Sequence, residues 1–114
     1  MSQFMLFIRN GDETGANLSP EEIQQAIQRY SAWAKKLREQ GKLVAAEKLK
    51  DNDGMLLSAR NGQIVVDGPF AETKETIGGY FIVEAVDMDE AIAITRECPA
   101  LSNGALVELR EIEL

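Results

Sequence analysis

Two short segments of this chain carry large apolar side chains on both faces, and this feature limits the fold most strongly. In residues 3–9, Phe4, Leu6 and Ile8 alternate with Met5 and Phe7. Residues 79–86 repeat the pattern, with Tyr80, Ile82 and Val86 opposite Phe81, Val83 and Ala85. Because successive side chains of a strand point to opposite faces, both segments are predicted to be central strands that are covered on each side.

An amphipathic helix is predicted to begin after Ser19. Ser19 can cap it, Pro20 suits the first helical position, Glu22 completes a capping box, and Leu18 can pack onto the first turn. Gly41 can end it in the left-handed conformation. Apolar residues recur at steps of four and three and so share one helical face: Ile23, Ile27, Tyr30, Ala34 and Leu37.

Turn and capping signals predict the remaining elements. Residues 43–49 form a strand, and residues 55–60 and 63–66 flank Asn61-Gly62, a two-residue signal for a type I′ hairpin. Asp87 with Glu90 repeats a capping box and begins a second helix, which Pro99 ends. A last strand covers residues 105–112.

This order of elements predicts an α+β fold. Two strand-helix-strand units around one antiparallel sheet make a ferredoxin-like βαββαβ topology, here with a hairpin insertion. At 114 residues the chain is expected to be a single domain, residues 1–114. Both helices cover one face of the sheet, so the apolar second face needs another cover. A second copy packed sheet to sheet around a two-fold axis would provide it as a dimeric α/β barrel, so a homodimer is predicted.

Composition excludes several functions. A net charge of −7 argues against nucleic-acid binding, because the phosphate backbone is repelled. The longest apolar run, residues 4–8, is too short to span a membrane, and no signal segment is expected. The single cysteine, Cys98, fits a reducing compartment, so the protein is expected to be cytoplasmic. Since there is no histidine, histidine-dependent catalysis and histidine-ligated metals are excluded, and no metal or other cofactor is predicted.

The most distinctive motif runs from Val66 to Glu75 with the sequence VDGPFAETKE, followed by Gly78-Gly79-Tyr80-Phe81. Weaker segments accompany it: residues 5–8 with 11–13, 18–22, 46–49, 87–91 and 107–110. Together they resemble the DGPF branch of the YCII-related family. This resemblance also implies a dimeric α/β barrel. Some members of the wider family pair a histidine with an aspartate, which this chain cannot do, so any chemistry is expected to use carboxylates with lysine or arginine.

A small-molecule site is predicted beside the DGPF loop, residues 67–74. Asp67 and Lys74 are the candidate catalytic residues. Candidate ligand-binding residues are Glu47, Phe70, Glu72 and Arg110. The hypothesis places the loop at one wall of a polar pocket, with Glu47 or Arg110 reaching it from neighbouring strands. The pocket lies either between the sheet and the helices or at the dimer interface. Partial desolvation can move carboxylate and ammonium pKa values toward neutrality, as acid/base work without histidine requires.

Each candidate also has a structural interpretation. Asp67 before Gly68-Pro69 is a good turn former, and Phe70 fits a core or a pocket wall. Lys74, near Glu72 and Glu75, fits a solvated charge cluster. Charged strand residues, Glu47, Glu84 and Arg110, can instead pair with one another. Cys98 fits a buried filler position.

Two other functions remain open from the sequence. The resemblance implies an alternative, a regulatory or protein-interaction module associated with sigma-factor-type transcription regulation, without turnover. A structural dimer without a ligand is the other. Because one fold hosts many functions, an ordered ligand or a closed polar pocket would favour the small-molecule site, and an exposed apolar groove on the dimer would favour the interaction module.

Overall fold

The structure is a computed structural model that describes residues 1–11, 19–50, 54–67, 75–102 and 104–114. Its elements follow the chain as β1 (Ser2–Gly11), α1 (Pro20–Glu39), β2 (Leu43–Lys48), β3 (Leu56–Arg60), β4 (Gln63–Asp67), β5 (Glu75–Ala85), α2 (Met88–Arg96), α3 (Pro99–Ser102) and β6 (Leu106–Glu111). The predicted mixed α+β architecture is confirmed.

Four strands form the main sheet in the order β2-β5-β1-β6, and every neighbouring pair is antiparallel. With the β3–β4 hairpin set aside, this is the ferredoxin-like strand order that the sequence predicts. In the centre of the sheet Leu6 lies between Phe81 on β5 and Leu109 on β6. A bulge between Ile8 and Arg9 shifts the pairing of β1 with β5, so Arg9 lies opposite Ile77.

Helix α1 has the ends predicted for it. Ser19 Oγ accepts a hydrogen bond from the Glu22 N–H, and the Glu22 carboxylate accepts one from the Ser19 N–H, each 3.2 Å long. At the other end the N–H groups of Gly41 and Lys42 donate to the carbonyls of Arg38 and Leu37. Gly41 has a φ of 71°, which this Schellman ending requires. The predicted packing of Leu18 onto the first turn lies outside the described residues.

Two predictions near the second helix were wrong in detail. Asp87 caps α2 by accepting from the Glu90 N–H, but the Glu90 carboxylate accepts from the Val86 N–H instead of completing the box at Asp87. Asp87 is fully extended, with φ −155° and ψ −179°, and this conformation accompanies the shifted bond. Pro99 does not end α2, which stops at Arg96. It begins α3, because a proline at the first helical position loses no hydrogen bond.

The hydrophobic core lies on one side of the main sheet, which we call the closed face. Strand residues Phe4, Leu6 and Val83 are fully buried there. All three helices contribute buried side chains to the same cluster: Trp33, Leu37, Ala91, Ile94 and Ala100. Trp33, which the sequence prediction omitted, packs edge-on against Phe81 with ring centroids 4.8 Å apart. The first half of the predicted α1 face stays exposed at Ile23 and Ile27.

The other side of the sheet, which we call the open face, carries the alternate residues of the same strands. They are Met5, Phe7 and Arg9 on β1; Tyr80, Ile82 and Glu84 on β5; Ala45 and Glu47 on β2; and Leu106, Glu108 and Arg110 on β6. The two central strands are therefore apolar on both faces, as predicted. Buried apolar side chains from all three described helices belong to the closed-face cluster, so these helices cover the closed face.

Strands β3 and β4 form a separate two-stranded sheet. Its turn is Asn61-Gly62, with φ of 51° and 78°, and these values confirm the predicted type I′ turn. Gly79 on β5 has a different role, because a Cβ there would lie 2.8 Å from the carbonyl oxygen of Glu47. The two backbones can approach this closely only without a side chain at residue 79.

Candidate functional site

The predicted site residues fall into three groups in the structure. Asp67 is the last residue of β4 and is exposed. Glu47 and Arg110 are exposed residues of β2 and β6. The other three candidates, Phe70, Glu72 and Lys74, lie outside the described residues. The structure therefore places half of the predicted site.

Glu47 and Arg110 share the open face but do not meet within one chain. Glu47 lies beside Tyr80, whereas Arg110 lies beside Met5, which in turn faces Ile82. Since β2 and β6 are the two edges of the sheet, three strand spacings of about 4.8 Å, or ~14 Å, separate their backbones.

Their positions relative to the DGPF loop also differ. The loop leads into β5 at Glu75, and Glu47 pairs with Tyr80, five residues along that strand. Arg110 pairs with Met5, and Met5 pairs with Ile82 on β5. Ile82 is seven residues after Glu75, which is ~23 Å along the strand at about 3.3 Å per residue. Within one chain, Glu47 is thus the nearer of the two to Glu75, the first residue of β5.

A charged cluster on the open face was missed by the sequence prediction. Arg9 Nη1 donates to Glu108 Oε1 at 2.8 Å, and Arg110 Nη1 lies 3.5 Å from Glu108 Oε2. The Arg9 and Glu108 side chains are a little over one-third exposed, whereas that of Arg110 is 71% exposed. Glu108 therefore holds Arg9 in a tight pair and Arg110 only loosely. The structural interpretation in which Glu47, Glu84 and Arg110 pair with one another is wrong for the described residues, because Arg110 lies near Glu108 instead.

The two remaining open-face carboxylates stand apart from this cluster. Glu47 is on the opposite edge strand, and Glu84 lies opposite Gln3 near the start of β1. Neither has an ion pair with a side chain in the described ranges. The face thus combines an apolar centre with separated charges, which can contact both the carbon skeleton and the polar groups of a bound molecule.

The closed face holds two ionisable groups in their neutral forms. Burial raises the pKa of Tyr30 to about 12; nearby Cys98 acts in the same direction, and Arg29 opposes it. The Tyr30 ring stacks on Phe81 with centroids 6.3 Å apart. Burial also raises the pKa of the Cys98 thiol, which a hydrogen bond from the Ala100 backbone partly offsets. A thiol with a raised pKa is a weak nucleophile at neutral pH, so Cys98 fills space here, as its sequence context suggested.

Two features that would indicate other kinds of binding are absent from residues 1–11, 19–50, 54–67, 75–102 and 104–114. These residues contain no cluster of three or more cysteine or acidic side chains arranged to hold a metal ion. No described helix is both long and apolar enough to cross a membrane.

Comparisons with known proteins connect these features to a family. Residues 3–113 match the model of the YCII-related domain. An uncharacterized protein of Rhizobium meliloti (strain 1021) is 33% identical over 97 residues, which are 83% of this chain and 76% of that protein. Among solved structures, the 5-chloro-2-hydroxyhydroquinone dehydrochlorinase of Burkholderia phenoliruptrix, in complex with 2,5-dihydroxybenzoquinone, is similar at 18% identity with a TM-score of 0.48. That match covers 97% of this chain and 93% of the dehydrochlorinase chain. On the family match and the 33% identical relative, this chain belongs to the YCII-related domain family.

Proposed function

We propose that this chain is a single-domain, cytoplasmic, homodimeric protein of the DGPF branch, which binds or transforms a small molecule in a polar site between its two copies. The observation that carries the proposal is the composition of the open face. Apolar side chains at its centre, Met5, Phe7 and Ile82, favour burial, while Glu47, Glu108 and Arg110 toward its edges supply polar contacts.

The apolar centre of the open face supports the dimer. Met5, Phe7, Tyr80 and Ile82 lie in adjacent positions on the two central strands, where the single chain buries them only in part. A second copy related by a two-fold axis presents the same patch, so the apolar centres can cover each other. Packing the two sheets in this way produces a dimeric α/β barrel.

The proposed site lies along the edge of this interface, where the DGPF loops approach it. Asp67 and Lys74 are its acid/base pair, and Phe70 and Glu72 extend the loop wall. Glu47 faces the site from β2 of the same chain. In its own chain, Arg110 lies toward the end of the sheet that is far from the first residue of β5. It therefore lines another part of the proposed interface, where it can contact a ligand bound by the second copy.

The charges of these residues favour a ligand with polar or acidic groups. Arg110 is highly exposed, and its guanidinium is 3.5 Å from one glutamate oxygen, so most of its donors remain open to a carboxylate or a phenolate. A carboxylate with a lysine can move a proton without histidine when partial burial brings their pKa values together. The proposed chemistry is therefore proton transfer on an oxygen-bearing ligand, without a metal or organic cofactor.

A thermal-shift screen of small oxygen-bearing acids and phenols tests the proposal. A specific ligand raises the melting temperature by mass action, equivalent to about 2.7 kcal/mol at 100 times its dissociation constant. We expect Asp67→Asn and Lys74→Met each to leave the ligand-free melting temperature within a few degrees and to abolish the shift. Matched changes at exposed helix residues, Asp89→Asn and Lys35→Met, serve as controls and should keep the shift.

Two outcomes would contradict the proposed site. If Asp67→Asn lowers the melting temperature strongly, the aspartate holds the turn before Gly68-Pro69. If Lys74→Met keeps the full shift, the lysine does not contact the ligand. Both results together would move the site away from the DGPF loop.

A further inference from the structure

The β3–β4 hairpin differs from every other described element because its strands pair only with each other. The described chain has a Cα radius of gyration of 16.0 Å and extents of 48 × 41 × 18 Å. A compact domain of about this length has a radius of gyration of ~13 Å. The molecule is therefore flatter and more extended than a compact domain, and its β3–β4 hairpin lies outside the main sheet.

One face of this hairpin is continuously apolar. Leu57 pairs with Val66 and Ala59 pairs with Ile64, so these four side chains lie on the same face, which we call the arm face. Leu57 is 60% exposed, Ile64 66% and Val66 57%. The opposite face is mostly polar and carries Leu56, Ser58, Arg60, Gln63, Val65 and Asp67. Large β-branched and leucine side chains are thus concentrated on one face, and their own chain leaves them exposed.

An uncovered hairpin of this kind is energetically unfavourable. An isolated two-stranded ribbon is only marginally stable in water, and a third strand or a packing partner is usually needed. Burying a leucine or isoleucine side chain fully contributes about 1.5–3 kcal/mol, which the exposed arm face does not obtain in the single chain. A cover for the arm face would therefore both stabilise the hairpin and remove an aggregation-prone surface.

The area that a stable dimer buries suggests that a second copy of the chain covers the arm face. Four strands about 4.8 Å apart and six residues long give the open face a projected area of roughly 400 Å². A standard protein interface buries ~800 Å² per partner, so the open face alone is a small contact. The arm face, two strands of five residues, adds roughly 160 Å² of projected area. Because side chains protrude from each face, the accessible area of each face is larger than its projected area. The accessible areas of the open face and the arm face together approach the standard interface size.

We propose that the β3–β4 hairpin is a dimerisation arm whose arm face packs on the second copy of the chain. The inference rests on the homodimer of the proposed function and adds a second contact to it. A two-fold axis makes the contact reciprocal, so each copy extends one arm and receives one. Because no charged side chain lies on the arm face, the surface that receives it is apolar.

Paired substitutions at adjacent hairpin residues test the arm. Leu57→Ser removes an arm-face side chain, and Leu56→Ser makes the same change one residue earlier on the opposite face, where the side chain is similarly exposed. The loss of intrinsic strand preference is the same in both variants. Sedimentation velocity over nanomolar to micromolar protein concentration measures the dimer dissociation constant of the wild type and of each variant.

We expect Leu57→Ser to raise the dimer dissociation constant at least ~100-fold, because each dimer loses two buried leucine side chains. Leu56→Ser should change it less than about 3-fold. A Leu57→Ser, Ile64→Ser double variant should act more strongly than either single change. Fluorescence of Trp33, a buried residue of α1, reports whether the main fold of each variant is intact.

The outcomes separate this inference from the proposed homodimer. A wild type that stays monomeric at micromolar concentration overturns both. A dimer that Phe7→Glu on the open face dissociates, but that Leu57→Ser leaves unchanged, overturns only the arm. Equal weakening by Leu56→Ser and Leu57→Ser also overturns the arm, since the effect would then come from hairpin stability and not from one packed face.

Discussion

The closed and open faces of the main sheet are built from alternate residues of the same strands, yet their surroundings differ. Leu6 is fully buried under the helices, whereas its neighbour Phe7 is only partly shielded. The closed face has an apolar centre packed by aromatic rings, and the open face has an apolar centre bordered by the Arg9–Glu108 ion pair. The same apolar alternation thus places one face under the chain's own helices and leaves the other face partly exposed, with charged residues at its border.

The largest expected effect is on the free energy of unfolding, which should fall more for a substitution on the closed face than for the same substitution on the open face. Phe4→Ala on the closed face should lower the free energy of unfolding by about 3–5 kcal/mol, because a fully buried ring leaves a cavity. Phe7→Ala on the open face is the matched change. Its cost should be smaller and should increase with protein concentration if a second copy covers Phe7. Urea unfolding at two concentrations at least 50-fold apart measures both, and equal, concentration-independent losses would remove the distinction.

The second prediction places a charge on the open face. Ile82→Asp should raise the dimer dissociation constant at least ~100-fold, because each copy would bury an unpaired carboxylate at the centre of the interface. Ile92→Asp makes the same change on the exposed surface of α2, away from the sheet, and should have little effect. Light scattering coupled to size exclusion gives the mass of each variant. A dimeric Ile82→Asp protein would show that the copies meet elsewhere.

The third prediction concerns pH and the closed face. Because the pKa of Tyr30 is raised to about 12 in the folded state, the unfolded chain releases this proton first as pH rises above 10. The Tyr30 contribution is present below pH 10 and is lost as pH rises toward 12. Cys98, whose pKa is also raised, adds a decline that begins near pH 9. Tyr30→Phe should flatten the upper part of the curve in denaturant titrations from pH 8 to 12, and an unchanged slope would contradict this assignment.

The smallest expected effect comes from the ion pair at the border of the open face. Glu108→Gln should cost less than ~1 kcal/mol in the monomer, since both partners are more than one-third exposed and water screens the pair. Glu39→Gln removes a longer, more exposed pair with Lys35 and should cost less than ~0.5 kcal/mol. A larger penalty for Glu108→Gln in the dimer would sharpen the comparison, because desolvation strengthens the pair there.

Local signals in the sequence predicted most of the fold. The Asn61-Gly62 turn, the Ser19 capping box and the Gly41 helix end depend on residues within a few positions of one another, and each was confirmed. The exposure of Ile27 was not predicted, because helical period identifies a face but not where the sheet beneath it ends. Similarly, Pro99 stops one helix or begins another depending on how the chain continues.

The candidate site was less predictable because it depends on contacts between distant residues. The predicted topology already places the second and last strands of the main sheet at opposite edges, and this order separates Glu47 from Arg110. Alternation also places Arg9 on the face of Met5 and Phe7, a signal that could have identified its pair with Glu108. Residues 68–74, which carry Phe70, Glu72 and Lys74, lie outside the described ranges.

The close approach at Gly79 has a consequence for laboratory evolution of this chain. Gly41 and Gly62 have open surroundings and are restricted by their backbone angles, so asparagine, which tolerates positive φ, is the best replacement there. At Gly79 the obstacle is the carbonyl oxygen of Glu47, which cannot rotate away as a side chain can. A saturation library should therefore recover substitutions at the first two glycines and almost none at Gly79, whose replacement would push two neighbouring strands apart.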